Sequence, residues 1–249
     1  MTDKVALVTG AAAGIGAAIA RRLASDGIAV GVLDVNLDDA TKVVDDITAQ
    51  GGKALALGAS IADRPAITAA VGALRQAFGP VTILVNNAGI TAATPFEEIT
   101  DEQWDRVMEV NLKGTFIVTQ TVLPDMKAAK WGRIVNISSS SAQTGSPGQA
   151  HYSASKGGII AFTRTLAQEL GKLGITVNNI PPGTVAQTVM FEANTARNQV
   201  ETDAFMRTIP VGRTGVPDDI AHACAWLVSD GGGYVTGQTI GVNGGRVIS

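Results

Sequence analysis

The feature that most constrains this chain is an alternation: short runs rich in Val, Ile and Leu recur between longer segments of helical period. Parallel strands joined by crossover helices produce that pattern. The strand candidates are Val5–Thr9, Ala29–Asp34, Ala54–Leu57, Ile83–Asn86, Arg133–Ser138, Thr176–Ile180 and Thr239–Val242. The first six are apolar almost throughout instead of alternating, as strands covered on both faces are. The sequence therefore predicts an α/β fold with a doubly wound, seven-stranded parallel sheet, helices on both faces, and one domain over residues 1–249. Helices are expected over Gly14–Asp26, Asp38–Gln50, Pro65–Phe78, Asp101–Ala129, Ser153–Leu173 and Pro217–Ser229. Asp101 and Asp218 are the expected N-caps, and Gly27, Gly51, Gly79 and Gly174 are placed to end helices. The polar, weakly periodic stretch 188–213 breaks the rhythm and reads as a lid over a site.

A chain of 249 residues with 45% apolar and 16% charged residues can bury enough surface to offset its ordering entropy, which argues against disorder. A net charge of -3 without a long Lys/Arg run removes the electrostatic basis for binding nucleic acid or an anionic membrane. The one cysteine, Cys224, has no internal disulfide partner and sits among apolar neighbours, so it reads as a buried structural thiol. Only four residues precede the first apolar run and no apolar stretch approaches a membrane span, so the expected compartment is the cytoplasm.

The first strand runs straight into Thr9-Gly10-Ala11-Ala12-Ala13-Gly14-Ile15-Gly16, a glycine-rich turn that opens a helix. Without a Cβ, the turn can tighten and bring backbone N–H groups close to a pyrophosphate, whose charge the helix N-terminus favours. Three residues instead of one separate the first two glycines, which leaves a slightly different loop, but strand, loop and helix follow in the order of a Rossmann-type dinucleotide site, with Gly10, Ala13, Gly14, Ile15 and Gly16 as its expected cofactor-facing positions. Asp34 ends the second strand, eighteen positions after Gly16, where a carboxylate can accept hydrogen bonds from both adenosine ribose hydroxyls. That carboxylate would repel a 2′-phosphate, and no Lys or Arg in the loop or beside Asp34 neutralises one, so NAD(H) is expected over NADP(H). The bland alternatives are a tight turn that binds nothing and an Asp34 that merely caps a helix.

Tyr152 and Lys156 are four apart in a helix-compatible stretch, which puts both on one face. A neighbouring ammonium, together with oxidised nicotinamide, is expected to favour the phenolate and make it a usable acid/base, although such a pair also occurs in ordinary surface packing. Ser139 follows an apolar strand at the sheet edge where ligands bind, but it is one of four consecutive serines, Ser138 to Ser141. His151 and His222 belong to no ligand cluster, so no metal is expected, and His151 reads as a surface or pocket-edge residue.

Together these residues resemble the short-chain dehydrogenase/reductase family over essentially the whole chain. The glycine loop, Asn86-Asn87-Ala88-Gly89, Tyr152-Ser153-Ala154-Ser155-Lys156 and the Pro182-Gly183 turn each match a family motif. The resemblance is closest to 3-oxoacyl thioester reductases and NAD-linked secondary-alcohol dehydrogenases. It implies that Ser139 bonds the substrate oxygen, that Lys156 also holds the nicotinamide ribose, and that Asn111 completes a tetrad by holding a water in a proton relay. It further implies that Asn87, Ala88 and Gly89 line the cofactor groove and that Val185 meets the carboxamide through its backbone. Two positions depart from the family. Ser60-Ile61 stands where an Asp and an aliphatic residue commonly flank adenine, and Gln187-Thr188 shifts by one place a hydroxyl that helps bind nicotinamide.

The expected reaction is hydride transfer between nicotinamide and a carbonyl or secondary alcohol, with Tyr152 as the acid/base. Ser141, Gln149 and Gln187, with lid residues Met190, Phe191, Phe205 and Met206, are expected to form a partly apolar substrate pocket. A secondary-alcohol dehydrogenase using NAD stands first, because Asp34 disfavours the NADPH preference common among the biosynthetic reductases. A 3-oxoacyl-ACP or -CoA reductase is the alternative, and a non-catalytic NAD(H)-sensing regulator is a rival from another class. Family resemblance also implies a homotetramer, with 101–129 and 153–173 as contact helices.

Overall fold

The computed structural model describes residues 4–186, 188 and 207–248. Six parallel strands form one sheet: β1 (Val5–Thr9), β2 (Ala29–Asp34), β3 (Ala54–Gly58), β4 (Ile83–Asn86), β5 (Gly132–Ile137) and β6 (Ile175–Ile180), in the order β3-β2-β1-β4-β5-β6. Crossover helices occupy both faces, and strand pleating divides the side chains between them. Val5 and Leu7 of β1 join one core, while Ala6 and Val8 join the other. On the first face lie α3 (Arg64–Phe78), α5 (Thr115–Ala129) and α7 (Ala150–Leu170), which contribute Leu74, Val118 and Ala167 to the core. On the second lie α1 (Gly14–Ser25), α2 (Leu37–Ala49) and α8 (Pro217–Val228), with α1 against α8. Gly16, Ala17 and Ala20 are buried on α1, and side chains this small permit close packing.

The expected seventh strand is present only as isolated parallel bridges, Asn179 to Thr239 and Pro182 to Val242. Asn179 N donates to Gln238 O at 2.9 Å and Gly183 N donates to Val242 O at 3.1 Å. Between them Pro181 has no N–H, so the ladder cannot run through.

Thr100, not Asp101, caps α4 (Asp101–Met108), in a reciprocal capping box with Gln103. Val216 precedes α8, and Asp219, not Asp218, reaches back to its N–H at 2.9 Å. Gly27, Gly51, Gly79 and Gly174 all have positive φ, as expected at helix ends. The expected continuous helix 101–129 is divided into α4, a π-helical turn at Glu109–Gly114, and α5. Of the expected lid, Thr188 and residues 207–213 are described. The latter are turns anchored by Ile209, against which a Cβ on Gly244 would press at 2.6 Å. Gln187, Met190, Phe191, Phe205 and Met206 lie outside the described residues.

Candidate active site

The sheet order reverses at β1, whose neighbours are β2 and β4, and the glycine loop lies at the C-terminal edge of that switch point. Gly10 and Gly14 have φ of 63° and 54°, a region disfavoured for residues with a Cβ. A Cβ on Gly16 would fall 2.1 Å from Gly10 O, so the loop closes on itself only with glycine there. Ala13 N-caps α1 in extended conformation and supplies no side-chain hydrogen bond, which leaves the first-turn N–H groups to another acceptor. Ile15 packs partly against the core behind the loop. Thr188 crosses the loop, 3.4 Å from where a Cβ of Gly14 would lie, and its hydroxyl donates to Val185 O at 3.0 Å.

Asp34 stands at the end of β2, with Oδ2 accepting from Ala12 N at 3.2 Å and Oδ1 from Asn36 N at 3.1 Å. The helix cap belongs instead to Asn36, whose side chain accepts from Asp39 N at 3.2 Å. Ser60 bonds Ala62 N at 3.3 Å, whereas Ile61 is buried and presses on Gly114. The Ile61 side chain therefore faces the π turn. Asn87 serves the loop directly: its Nδ2 donates to Thr9 O at 3.0 Å and Gly10 O at 2.9 Å. Thr9 Oγ1 in turn accepts from Asn87 N and Ala88 N at 3.0 and 3.1 Å. Val185 bridges Gly215 through its neighbours, with Ala186 N donating to Gly215 O and Gly215 N to Thr184 O. In a parallel bridge of this kind the N–H and C=O of Val185 itself point the other way. Pro182 is buried, and Gly183 approaches Asn243 so closely that a Cβ would lie 2.9 Å from its Cα. An uncapped helix start, a glycine loop and a ribose-height carboxylate are a donor and acceptor set that fits a dinucleotide.

Beside this groove α7 starts at Ala150, three residues earlier than the sequence predicts, and so carries Tyr152 in its first turn and Lys156 one turn later. Ser139 is the serine whose hydroxyl lowers the Tyr152 pKa against the effect of burial, which separates it from the other serines. Ser138 is buried, its hydroxyl without a partner among the described residues, while Ser140 is buried and its N–H is tied to Pro182 O at 3.0 Å. Lys156 Nζ donates to Ile137 O at 2.9 Å and lies close to Gly89, where a Cβ would stand 3.1 Å away. Asn111, on the π turn, exchanges two hydrogen bonds with Ile90, from Ile90 N at 2.8 Å and to Ile90 O at 2.9 Å. Its Nδ2 also donates to Ser155 Oγ at 3.0 Å, and Ser155 donates to Tyr152 O at 2.7 Å. Asn111 thus ties the β4–α4 loop to the helix that bears the Tyr and Lys.

The electrostatics show what the protein contributes without the cofactor. Burial raises the Tyr152 pKa, and the Ser139 hydroxyl only partly opposes it. Lys156 is itself pushed down to about 8 by burial. Its Nζ points to a main-chain carbonyl, 5.9 Å from the centre of the Tyr152 ring, so the protein alone does not deliver the depressed phenol. His151 also differs from expectation: it is fully buried, and both ring nitrogens lack partners among the described residues. Cys224 is buried as expected, its thiol pushed up to about 12.

Residues 4–199 match the sequence model of the short chain dehydrogenase family. The chain belongs to that family. Among curated relatives, this dehydrogenase is 41% identical over 244 residues to (2S)-[(R)-hydroxy(phenyl)methyl]succinyl-CoA dehydrogenase subunit BbsD of Thauera aromatica, covering 98% of this chain and 96% of the relative. It is 40% identical over 246 residues to the acetoacetyl-CoA reductase of Cupriavidus necator, covering 98% of each. It is 41% identical over 244 residues to a 3-oxoacyl-[acyl-carrier-protein] reductase of Staphylococcus epidermidis, again covering 98% of each. It is therefore an oxidoreductase with a nicotinamide cofactor, of the class acting on CH–OH groups. Among its described residues no helix is long and apolar enough to cross a membrane.

Sequence reasoning missed Thr9 and Ser155. Thr9 ends an apolar strand with a hydroxyl, and Ser155 lies one turn beyond Tyr152, buried on the same helix. A buried hydroxyl beside a catalytic motif is the signal that would have found either.

Proposed function

We propose that this dehydrogenase interconverts the 3-oxo and 3-hydroxy forms of an acyl thioester and prefers NAD(H). The observation that carries the reaction is the anchoring of the helix that bears Tyr152 and Lys156 beside the dinucleotide groove: Lys156 Nζ donates to Ile137 O, at the end of the strand that leads to Ser139, and Asn111 is tied through Ser155 to Tyr152 O. The substrate class rests on the relatives, whose names specify thioesters of CoA or acyl carrier protein. The sequence alone favoured a secondary alcohol and left thioester and free ketone open; the thioester reading retains that group, because a 3-hydroxyacyl thioester is itself a secondary alcohol.

Bound nicotinamide would supply or accept the hydride. In the reductive direction Ser139 donates a hydrogen bond to the substrate oxygen and Tyr152 donates the proton that completes the alcohol. Lys156 holds positive charge behind the phenol, and Asn111 fixes the loop and helix that frame the exchange. Gly10, Ala13, Gly14, Ile15 and Gly16 form the phosphate cradle, with Asp34, Ser60 and the main chain of Ile61 on the adenosine side. Asn87, Ala88 and Gly89 line the groove, and Pro182, Gly183, Val185 and Thr188 close its nicotinamide end. Gln149, whose Nε2 donates to Thr91 Oγ1 at 3.3 Å, frames the substrate entrance.

Support for NAD(H) comes from Asp34, and the cations Arg21 of α1 and Lys42 of α2 are paired with Asp46 and Asp39, both at 2.8 Å or less. A 2′-phosphate would meet a carboxylate with no Lys or Arg in the glycine loop or beside Asp34 in sequence to neutralise it. NADH oxidation and NAD reduction should be followed over 3-oxoacyl-CoA and 3-hydroxyacyl-CoA pairs, cyclic and steroid ketones, and keto sugars. The expected result is turnover of the thioesters with NADH, and an NADH-over-NADPH preference that falls about tenfold or more in Asp34→Ala, the loss of one strong hydrogen-bonding group. Turnover confined to free ketones would refute the thioester reading, and an unchanged preference would refute the role of Asp34.

A further inference from the structure

The sequence places Ser141 in the substrate pocket, yet the side chain is buried and turned inward. Its backbone N–H donates to Ser139 Oγ at 3.2 Å and its hydroxyl lies 2.9 Å from the same atom. Both groups belong to the first residue of α6 (Ser141–Thr144), so the helix start presents them to Ser139 as a rigid pair. A serine hydroxyl has one proton and two lone pairs. The Ser141 N–H can only donate, and it occupies one lone pair of Ser139 Oγ. When the phenol or the substrate oxygen carries negative charge, Ser139 must give it its only proton. The second bond to Ser141 then has one possible direction, from Ser141 Oγ to Ser139 Oγ.

We propose that Ser141 is a positioning residue that fixes Ser139 as a hydrogen-bond donor, and not a substrate contact. The proposal rests on the role given to Ser139 above. Two incoming bonds hold the Ser139 rotamer, and the chain from Ser141 through Ser139 to the reacting oxygen polarises each bond in the same sense. The effect belongs to the transition state, where charge on that oxygen is greatest. It acts on kcat and is independent of the acyl chain.

The test is a double-mutant cycle of Ser139→Ala and Ser141→Ala, with kcat, KM and the pH profile of the oxidative reaction measured for short and long acyl-CoA substrates. Ser141→Ala should lower kcat about tenfold, the loss of one ordinary hydrogen bond, and leave KM within about twofold for every chain length. Its oxidative pH profile should shift to higher pH, because the ionised phenol loses part of its support. Ser141→Thr keeps the hydroxyl and should restore most of the rate, which excludes general damage to the fold. In the Ser139→Ala background, Ser141→Ala should have no further effect. A KM increase that depends on chain length, an equal loss in both backgrounds, or no loss at all would overturn the positioning role while leaving Ser139 as donor. If Ser139→Ala alone retained full turnover, the reading of Ser139 would fail and this proposal with it.

Discussion

Lys156 shows how far a single residue can be driven from its ordinary behaviour by its place in the fold. It is buried on α7, and burial alone lowers its pKa from 10.5 to about 8. The folded state binds this proton less tightly than the unfolded chain does. Stability from this group therefore rises with pH between about 8 and 10.5, and below about 8 the full penalty of burying the charge is present. Lys156→Met should accordingly raise Tm near pH 7 and reduce turnover, and the Tm gain should shrink as pH climbs above about 8. A gain independent of pH would show that packing, not charge, is the cause. Tyr152, Lys156, Asp34 and the loop glycines were legible in the sequence because their chemistry and spacing are rare together. Ser141 and Ile61 were not: side-chain direction decides their roles, and it turns Ser141 toward Ser139 and Ile61 toward Gly114.

At the scale of elements, the strands were legible because an apolar run of four to six residues between glycine-rich turns leaves few alternatives. The π turn at Glu109–Gly114 was not, since a single turn is too short to show a period of its own within the segment 101–129. Its causes are tertiary: Asn111 is engaged by both polar groups of Ile90, and Gly114 is pressed by Ile61. A Cβ on Gly114 would lie 2.7 Å from Ile61 Cγ1. Gly114→Ala should therefore destabilise the protein by about 1–3 kcal/mol through overpacking, despite alanine's better helix propensity, and should lower turnover by displacing Asn111. Urea unfolding with parallel rate measurement checks this; a stabilised variant would mean that the turn relaxes freely. The seventh strand was overcalled for a local reason, because Pro181 lies outside the run Thr239–Val242 from which that strand was read.

Across the whole molecule, strand order places the ends of β1, β4 and β5 side by side, so the glycine loop, Asn87 and Ser139 converge although they are far apart in sequence. The large apolar side chains Trp104 and Phe116 remain 37% and 41% exposed on α4 and α5. The homotetramer implied by the family resemblance would use these helices as contacts and cover both side chains. Light scattering should give four subunits of 25.5 kDa, and a mass of one subunit would contradict it. The central claim, that Tyr152 exchanges the proton while the groove binds the dinucleotide independently, is tested most directly by Tyr152→Phe. NADH affinity, read by fluorescence titration, and acetoacetyl-CoA reduction, read by NADH absorbance, should be measured on the same preparation. The account predicts affinity within about twofold of the parent and turnover reduced about 10²–10⁴-fold, the usual contribution of a positioned acid. Turnover retained in the variant would contradict it.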